Sequence, residues 1–300
     1  MKTFKWLFLS SVLLLLTSSP LMAERADLSW IQSWGYQLQE VNLAQVENST
    51  YDVMVIDYSK EGDDASAFTA EEIASLQASG KIVLAYLSIG EAEDYRFYWK
   101  KRWESKKPNF LEAENPNWAG NYKVKYWSKA WWNKGLQPYL DKILAAGFDG
   151  VYLDIIDGYY YFGEKDGKMR KRANQMVKLV EKIANYSRAE FGDEFIVTPQ
   201  NGLGILDDCS NQYRQRYLEA IDAVGVESLY YNVYSEEDKN YRLEKLGVLN
   251  DANKLILNVE YISENLYDAY YDTWENSSLN IVGYPADEET ALDELVEPFN

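Results

Sequence analysis

The chain contains no histidine and a single cysteine among its 300 residues. Without histidine there is no Ser-His-Asp or Cys-His relay, no His-ligated zinc or non-haem iron, and no imidazole to move protons near neutral pH. A lone cysteine, Cys209, excludes an intrachain disulfide and a cysteine-ligated zinc or iron–sulfur cluster. Its neighbours Asp207 and Asp208 raise a thiol's pKa, which argues against a reactive nucleophile. Basic residues are also few, with 30 Lys and Arg against 48 Asp and Glu, a net charge of −18. That balance argues against nucleic acid, whose binding is driven by basic patches. It suits a neutral or cationic substrate, although acidity also serves solubility. Neither GxGxxG nor GxxxxGK[ST] follows any apolar run, so no nucleotide fingerprint is present. The acidic stretches lack EF-hand-like spacing, and neither metal nor cofactor is expected. For an enzyme the obvious remaining acid/base groups are carboxylates, with Lys and Tyr as less common substitutes.

What is present is a globular composition, 47% hydrophobic and 15% aromatic, too apolar for a disordered chain. Residues 1–23, MKTFKWLFLSSVLLLLTSSPLMA, read as a secretory signal peptide. Lys2 and Lys5 form its positive end, an apolar run follows from Trp6 to Leu16, and Pro20 and Ala23 mark the cleavage region. The apolar core is short for a membrane span, so an uncleaved anchor is the lesser alternative. The segment carries two Lys and no acid, so its removal takes the net charge from −18 to −20. Export without disulfides points to a bacterial periplasmic or secreted protein with no stable membrane insertion. Residues 24–300 are expected to form a single domain, because no low-complexity linker divides them.

Apolar, β-branched and aromatic runs recur along that region. Strands are predicted at about 32–38, 51–58, 81–89, 148–154, 194–200, 221–229, 254–261 and 279–284. Several are near-continuous apolar runs, as strands buried on both faces should be. Helical segments lie between them. Thr69-Ala-Glu-Glu72 is a capping box opening a helix that stops at Gly80. Further helices are predicted at 129–146, ending at Gly147, and at 165–191. Another starts after Ser235, and a last one after Asp287. Strands alternating with helices in this way predict a (β/α)8 TIM barrel, with a doubly wound open sheet as the runner-up. One connection, residues 90–128 after the third strand, is unusually long and rich in Tyr and Trp. It is either a stacking platform beside the active site or a satellite core.

In a barrel enzyme the catalytic side chains stand at the C-terminal ends of the strands. Those ends carry Asp57 and Tyr58, Glu91, Asp154 and Asp157, Asn201, Glu227, Glu260 and Tyr284. A ring of acids, amides and tyrosines suits a sugar site: carboxylates work at the anomeric carbon, amides bind hydroxyls, and aromatic faces stack on pyranose rings. Asp154 follows the apolar run Gly-Val-Tyr-Leu and is either a catalytic carboxylate or a cap on the next helix. Glu227 ends the run Ala-Val-Gly-Val, where a charge has few structural reasons to stand. Asp157 precedes Gly158 and is equally a turn residue or a substrate contact. Glu91, near Glu93 and Asp94, is a substrate contact or a solvated face, and Asn201 a substrate amide or a turn former. Asp57 and Glu260 read as binding or supporting groups rather than the acid pair.

The runs YDVMVIDYS (51–59), GKIVLAYLSIGEAEDYRFYW (80–99), GFDGVYLDIIDGYYYF (147–162), PQNG (199–202) and GVESLYYN (225–232) resemble the endo-α-1,4-polygalactosaminidase family, glycoside hydrolase family 114. They are also similar to the Pel-polysaccharide hydrolase domain. The resemblance covers nearly the whole chain beyond the signal segment. It implies a (β/α)8 barrel that cleaves α-1,4-linked galactosamine polymers. Asp154 is then the nucleophile or base, Glu227 the general acid/base, and Glu91 a substrate-site residue. The leading expectation is a secreted or periplasmic endo-glycosidase acting on an amino-sugar exopolysaccharide, of the kind found in biofilms, with two carboxylates and no cofactor. A polysaccharide-binding protein of the same fold is the alternative. A metal-dependent deacetylase is a distant third, since such sites normally need histidine ligands.

Overall fold

The computed structural model describes residues 25–297. Residues 1–23, where a signal peptide is expected, therefore lie outside the described residues. Eight parallel strands follow one another in chain order: β1 (Trp34–Gln37), β2 (Val53–Ile56), β3 (Ile82–Ser88), β4 (Gly150–Asp154), β5 (Ile196–Pro199), β6 (Ala223–Glu227), β7 (Leu255–Tyr261) and β8 (Ile281–Ala286). Each overlaps one of the predicted apolar runs. The first five form one ladder and the last three another. The two are joined by an isolated parallel bridge between Gln200 and Gly225. β1 and β8 meet through side chains, with the Trp34 indole donating to the Val282 carbonyl at 3.0 Å.

Aromatic rings fill the interior. Trp34 and Tyr36 of β1 lie 6.2 and 5.2 Å from Tyr152 of β4, which is not a neighbouring strand. Such a contact requires the sheet to curl on itself, as a (β/α)8 barrel does. Gly225 makes room for this filling. A Cβ there would lie 1.9 Å from the Tyr152 hydroxyl.

The helices follow local signals where those signals are strong. Thr69 and Glu72 cap each other reciprocally at 2.7 and 3.2 Å, opening helix Ala70–Ala78. Ser235 caps helix Glu236–Asp251 through the Asp238 amide. The segment 129–146 is helical and stops at left-handed Gly147, but contains a π turn over Trp132–Leu136. Pro138 lacks an N–H, and Gly135 packs against the Trp131 ring, so the regular ladder is interrupted there. The helix predicted at 165–191 is two helices, Gly158–Asp166 and Met169–Phe191, separated by left-handed Gly167.

The helix expected after Asp287 does not form within the described residues. That segment instead runs back along β1. The Leu292 carbonyl accepts from the Leu38 and Gln39 amides at 2.8 and 3.0 Å, and Leu292 and Leu295 are buried. Backbone groups just beyond β1 needed partners, and burial of two leucines outweighs local helix preference.

The long connection after β3 has its own structure, a small antiparallel sheet of Glu91–Glu93, Asn121–Val124 and Leu111–Glu114. Most of its aromatics form a satellite core. Trp103 packs on Phe110 at 5.4 Å, and Phe110 on Trp131 at 5.6 Å. Tyr95 and Trp118 remain exposed.

Candidate active site

A cleft of about 770 Å³ opens at the C-terminal ends of the strands. Asp57, Glu91, Asp154, Asp157, Asn201 and Glu227 all line it. Two carboxylates in it are held by neutral donors.

Asp154 ends β4. One carboxylate oxygen accepts from the Tyr86 hydroxyl and the other from the Ile155 amide, both at 2.7 Å. Tyr86 stands on β3, whose register sets Ser88 opposite Asp154. Burial pushes the Asp154 carboxyl up to about 7, and the charge of Glu227 adds to this. The Tyr86 and Ile155 hydrogen bonds pull in the opposite direction.

Glu227 ends β6. It accepts from the Asn201 amide at 2.7 Å and from the Tyr261 hydroxyl. The Asn201 side-chain oxygen also accepts from the Glu227 amide at 3.1 Å, so Asn201 grips this residue at two points. Arg242 donates to the carbonyls of Glu227 and Ser228, holding the backbone from behind. Burial and the facing carboxylates raise Tyr86 and Tyr261 well above the usual tyrosine range, so both remain donors at neutral pH.

The chain turns sharply at the ends of β4, β5 and β6. Ile155, Asn201 and Ser228 have φ of 60°, 55° and 49°. Asn tolerates this region, but β-branched Ile155 is strained by about 1–2 kcal/mol. Gly90 is what lets that turn fit, since a Cβ there would lie 2.4 Å from the Ile155 carbonyl.

The remaining expected residues are placed differently. Asp57 is buried at one edge of the cleft, in a two-pronged ion pair with Arg96 at 2.7 and 2.8 Å. Arg96 also pairs with Glu93 at 2.7 Å, tying the insertion to β2. Glu91 is held by Asn115 at 3.0 Å and Lys123 at 3.1 Å. Asp157 is exposed in the cleft and does not cap the helix that follows it.

Three residues lie outside the cleft lining. Tyr58 is buried and donates to Asp64 at 3.3 Å. Glu260 is fully buried and accepts from the amides of Leu229, Tyr230 and Tyr231 at 2.7–3.1 Å. It clamps the loop after β6 rather than facing the cleft. Tyr284 fills the interior beside Trp34, its ring 5.8 Å away. Cys209 is buried and its thiol pushed up by burial. Among the described residues no group of three Cys, Asp or Glu side chains converges as metal ligands would.

Sequence reading missed Tyr86, Tyr261, Arg96 and Arg242. One signal was available for Tyr261. Successive strand residues face opposite ways, so Glu260 and Tyr261 were exclusive choices, and pairing of Val259 with Glu227 puts Tyr261 on the cleft side.

A carboxylate pair in a polar cleft at the mouth of a barrel is the equipment for cutting glycosidic bonds. The chain matches the model of glycoside-hydrolase family GH114 over residues 18–290. It belongs to that family. This member of GH114 is a glycoside hydrolase, and its substrate is a polysaccharide. An uncharacterized protein of Methanocaldococcus jannaschii is 39% identical over 273 residues, covering 87% of this chain and 77% of that protein. One of Thermotoga maritima is 34% identical, covering 98% of this chain and 93% of its own length. The fold is similar to the glycoside hydrolase domain of PelA from Pseudomonas aeruginosa, with a TM-score of 0.67, 16% identity, and 88% and 97% of the two chains covered. Ega3 of Aspergillus fumigatus, solved in complex with galactosamine, superposes with a TM-score of 0.64 at 16% identity, covering 92% of this chain and 100% of that one. No helix among the described residues is long and apolar enough to cross a membrane.

Proposed function

We propose that this chain is an exported endo-glycosidase that cleaves an amino-sugar polysaccharide of the α-1,4-galactosamine type. The observation that carries the reading is the pairing of Asp154 and Glu227 in one acid-lined cleft, each braced by a tyrosine hydroxyl. The galactosamine bound to a neighbour of the same fold supports the sugar. The apolar, lysine-led segment 1–23 supports export.

In the proposed mechanism Asp154 attacks the anomeric carbon or activates water against it, and Glu227 protonates the leaving oxygen. Asp154 must be ionised for this. An ammonium group on the bound sugar stabilises that carboxylate by direct Coulomb attraction, countering the burial that raises it. Substrate binding thus prepares the residue it will react with.

The test is reducing-end release from partially deacetylated galactosamine polymer. Asp154→Asn and Glu227→Gln should each lower kcat by roughly 100-fold or more while the melting temperature survives. Wild-type rates in both variants would refute the assignment.

A further inference from the structure

Of the two aromatics that the insertion leaves exposed, Tyr95 donates to Glu93 at 2.6 Å and carries the Arg96 guanidinium over its ring, whereas Trp118 has no such side-chain partner among the described residues. Trp118 is 57% exposed and lines the rim of the active-site cleft. Among the described residues it makes no ring contact and no cation–ring contact, whereas Trp99, Trp103 and Tyr122 of the same insertion pack on one another. Burying such a ring stabilises a fold by about 2–3 kcal/mol, so leaving it in water forgoes that gain.

The exposure is not the looseness of a free loop. The Trp118 amide donates to the Asn115 carbonyl at 3.3 Å, and its own carbonyl accepts from Asn121 at 3.2 Å. Left-handed Gly120 donates to the Glu114 carboxylate at 2.8 Å and sits so close to Asp94 that a Cβ would lie 2.7 Å from it. Asn115, at the start of the turn, binds Glu91 in the cleft wall. The turn is therefore pinned to the catalytic cleft, and it holds an apolar face at its edge.

We propose that Trp118 is a stacking subsite for a sugar ring of the bound polymer, away from the bond that is cut. This rests on the reading of the cleft as a polysaccharide site. The C–H face of a pyranose covers an indole, and an ammonium substituent adds cation–π attraction. A subsite at the rim holds a long chain across the acid pair and gives little to a short one. It thereby selects polymer over oligosaccharide.

The experiment compares Trp118→Ala and Trp118→Phe with wild type on partially deacetylated galactosamine polymer and on its oligosaccharides of increasing length. Trp118→Ala should lose about tenfold in kcat/KM on polymer, mainly through KM, and the loss should shrink as the oligosaccharide shortens. Trp118→Phe should recover most of it, and the melting temperature should stay unchanged. The same substitution in a Glu227→Gln background should weaken polymer binding by a similar factor, read by titration calorimetry without cleavage. Equal polymer affinity in that background overturns the subsite, as does a loss that is the same at every chain length. A wild-type chain that binds polymer without cutting it refutes the proposed activity and not the subsite. No binding in either background overturns both.

Discussion

Burial makes the Asp154 carboxylate hard to ionise, and that difficulty has a pH signature. Its folded-state value near 7 stands above that of an unfolded aspartate, about 3.9. The folded state then holds a proton that the unfolded state releases between those values. Stability is lost as pH rises from about 4 to about 7 and is flat beyond. Asp154→Asn removes the charge and the loss with it. Thermal melts should show the variant above wild type at pH 8, by roughly 2–4 °C for each kcal/mol relieved. The two should coincide at pH 4. A variant less stable than wild type at pH 8 would contradict the burial argument. In the proposed mechanism the same group also sets the pH dependence of the rate. With Asp154 acting as an ionised base or nucleophile, kcat/KM should fall as pH drops through about 7. Tyr86 donates to this carboxylate and lowers its pKa. Tyr86→Phe should therefore shift that acid limb to higher pH, while an unmoved limb would show that Tyr86 does not tune Asp154.

At the scale of elements, the turn after β4 depends on the one after β3. The Ile89 amide donates to the Asp154 carbonyl at 3.0 Å, and Gly90 lies against the Ile155 carbonyl. Gly90→Ala forces backbone against backbone. It should cost about 1–3 kcal/mol, read as a lower urea midpoint, and should lower kcat by displacing Asp154. Full stability and activity in this variant would show that the turn yields freely. These loops also show what local sequence carries. The Thr69–Glu72 capping box forms as read, because both partners are three residues apart and need nothing else. The segment after Asp287 does not form the expected helix, because its partner is the backbone beyond β1, about 250 residues away in sequence. Arg96 was equally illegible: its partner Asp57 lies 39 residues back, beyond β3 and the helix before it.

At the scale of the whole molecule, a net charge of −18 surrounds a cleft walled by carboxylates. Arg96 pairs with Asp57 and Glu93, and Lys123 pairs with Glu91 and favours the ionised form of Asp157, while Asp154 and Glu227 have no ion-pair partner among the described residues. A cationic polymer is drawn to such a field, and salt screens it over a distance of about 10 Å at 0.1 M. Raising ionic strength from about 50 to 500 mM should therefore lower kcat/KM on deacetylated polymer several-fold. The effect should diminish as acetylation of the polymer rises. A salt-independent rate on deacetylated polymer would show that this charge serves solubility alone.

The alternation of strands and helices was legible in the chain, with the barrel as its leading reading, because near-continuous apolar runs stand out wherever strands are buried on both faces. The sequence also brought the carboxylates to the strand ends, since chain order and strand length fix which residue reaches the mouth. Which of them face the cleft, and which are answered by distant partners, was set by packing in three dimensions. Glu227 ends β6 and Glu260 stands one residue short of the end of β7, yet Glu260 is consumed by three loop amides while Glu227 meets a tyrosine and an asparagine in the cleft it shares with Asp154. The reason is that side-chain direction alternates along a strand, while the identity of the neighbour depends on how the strands are staggered around the barrel.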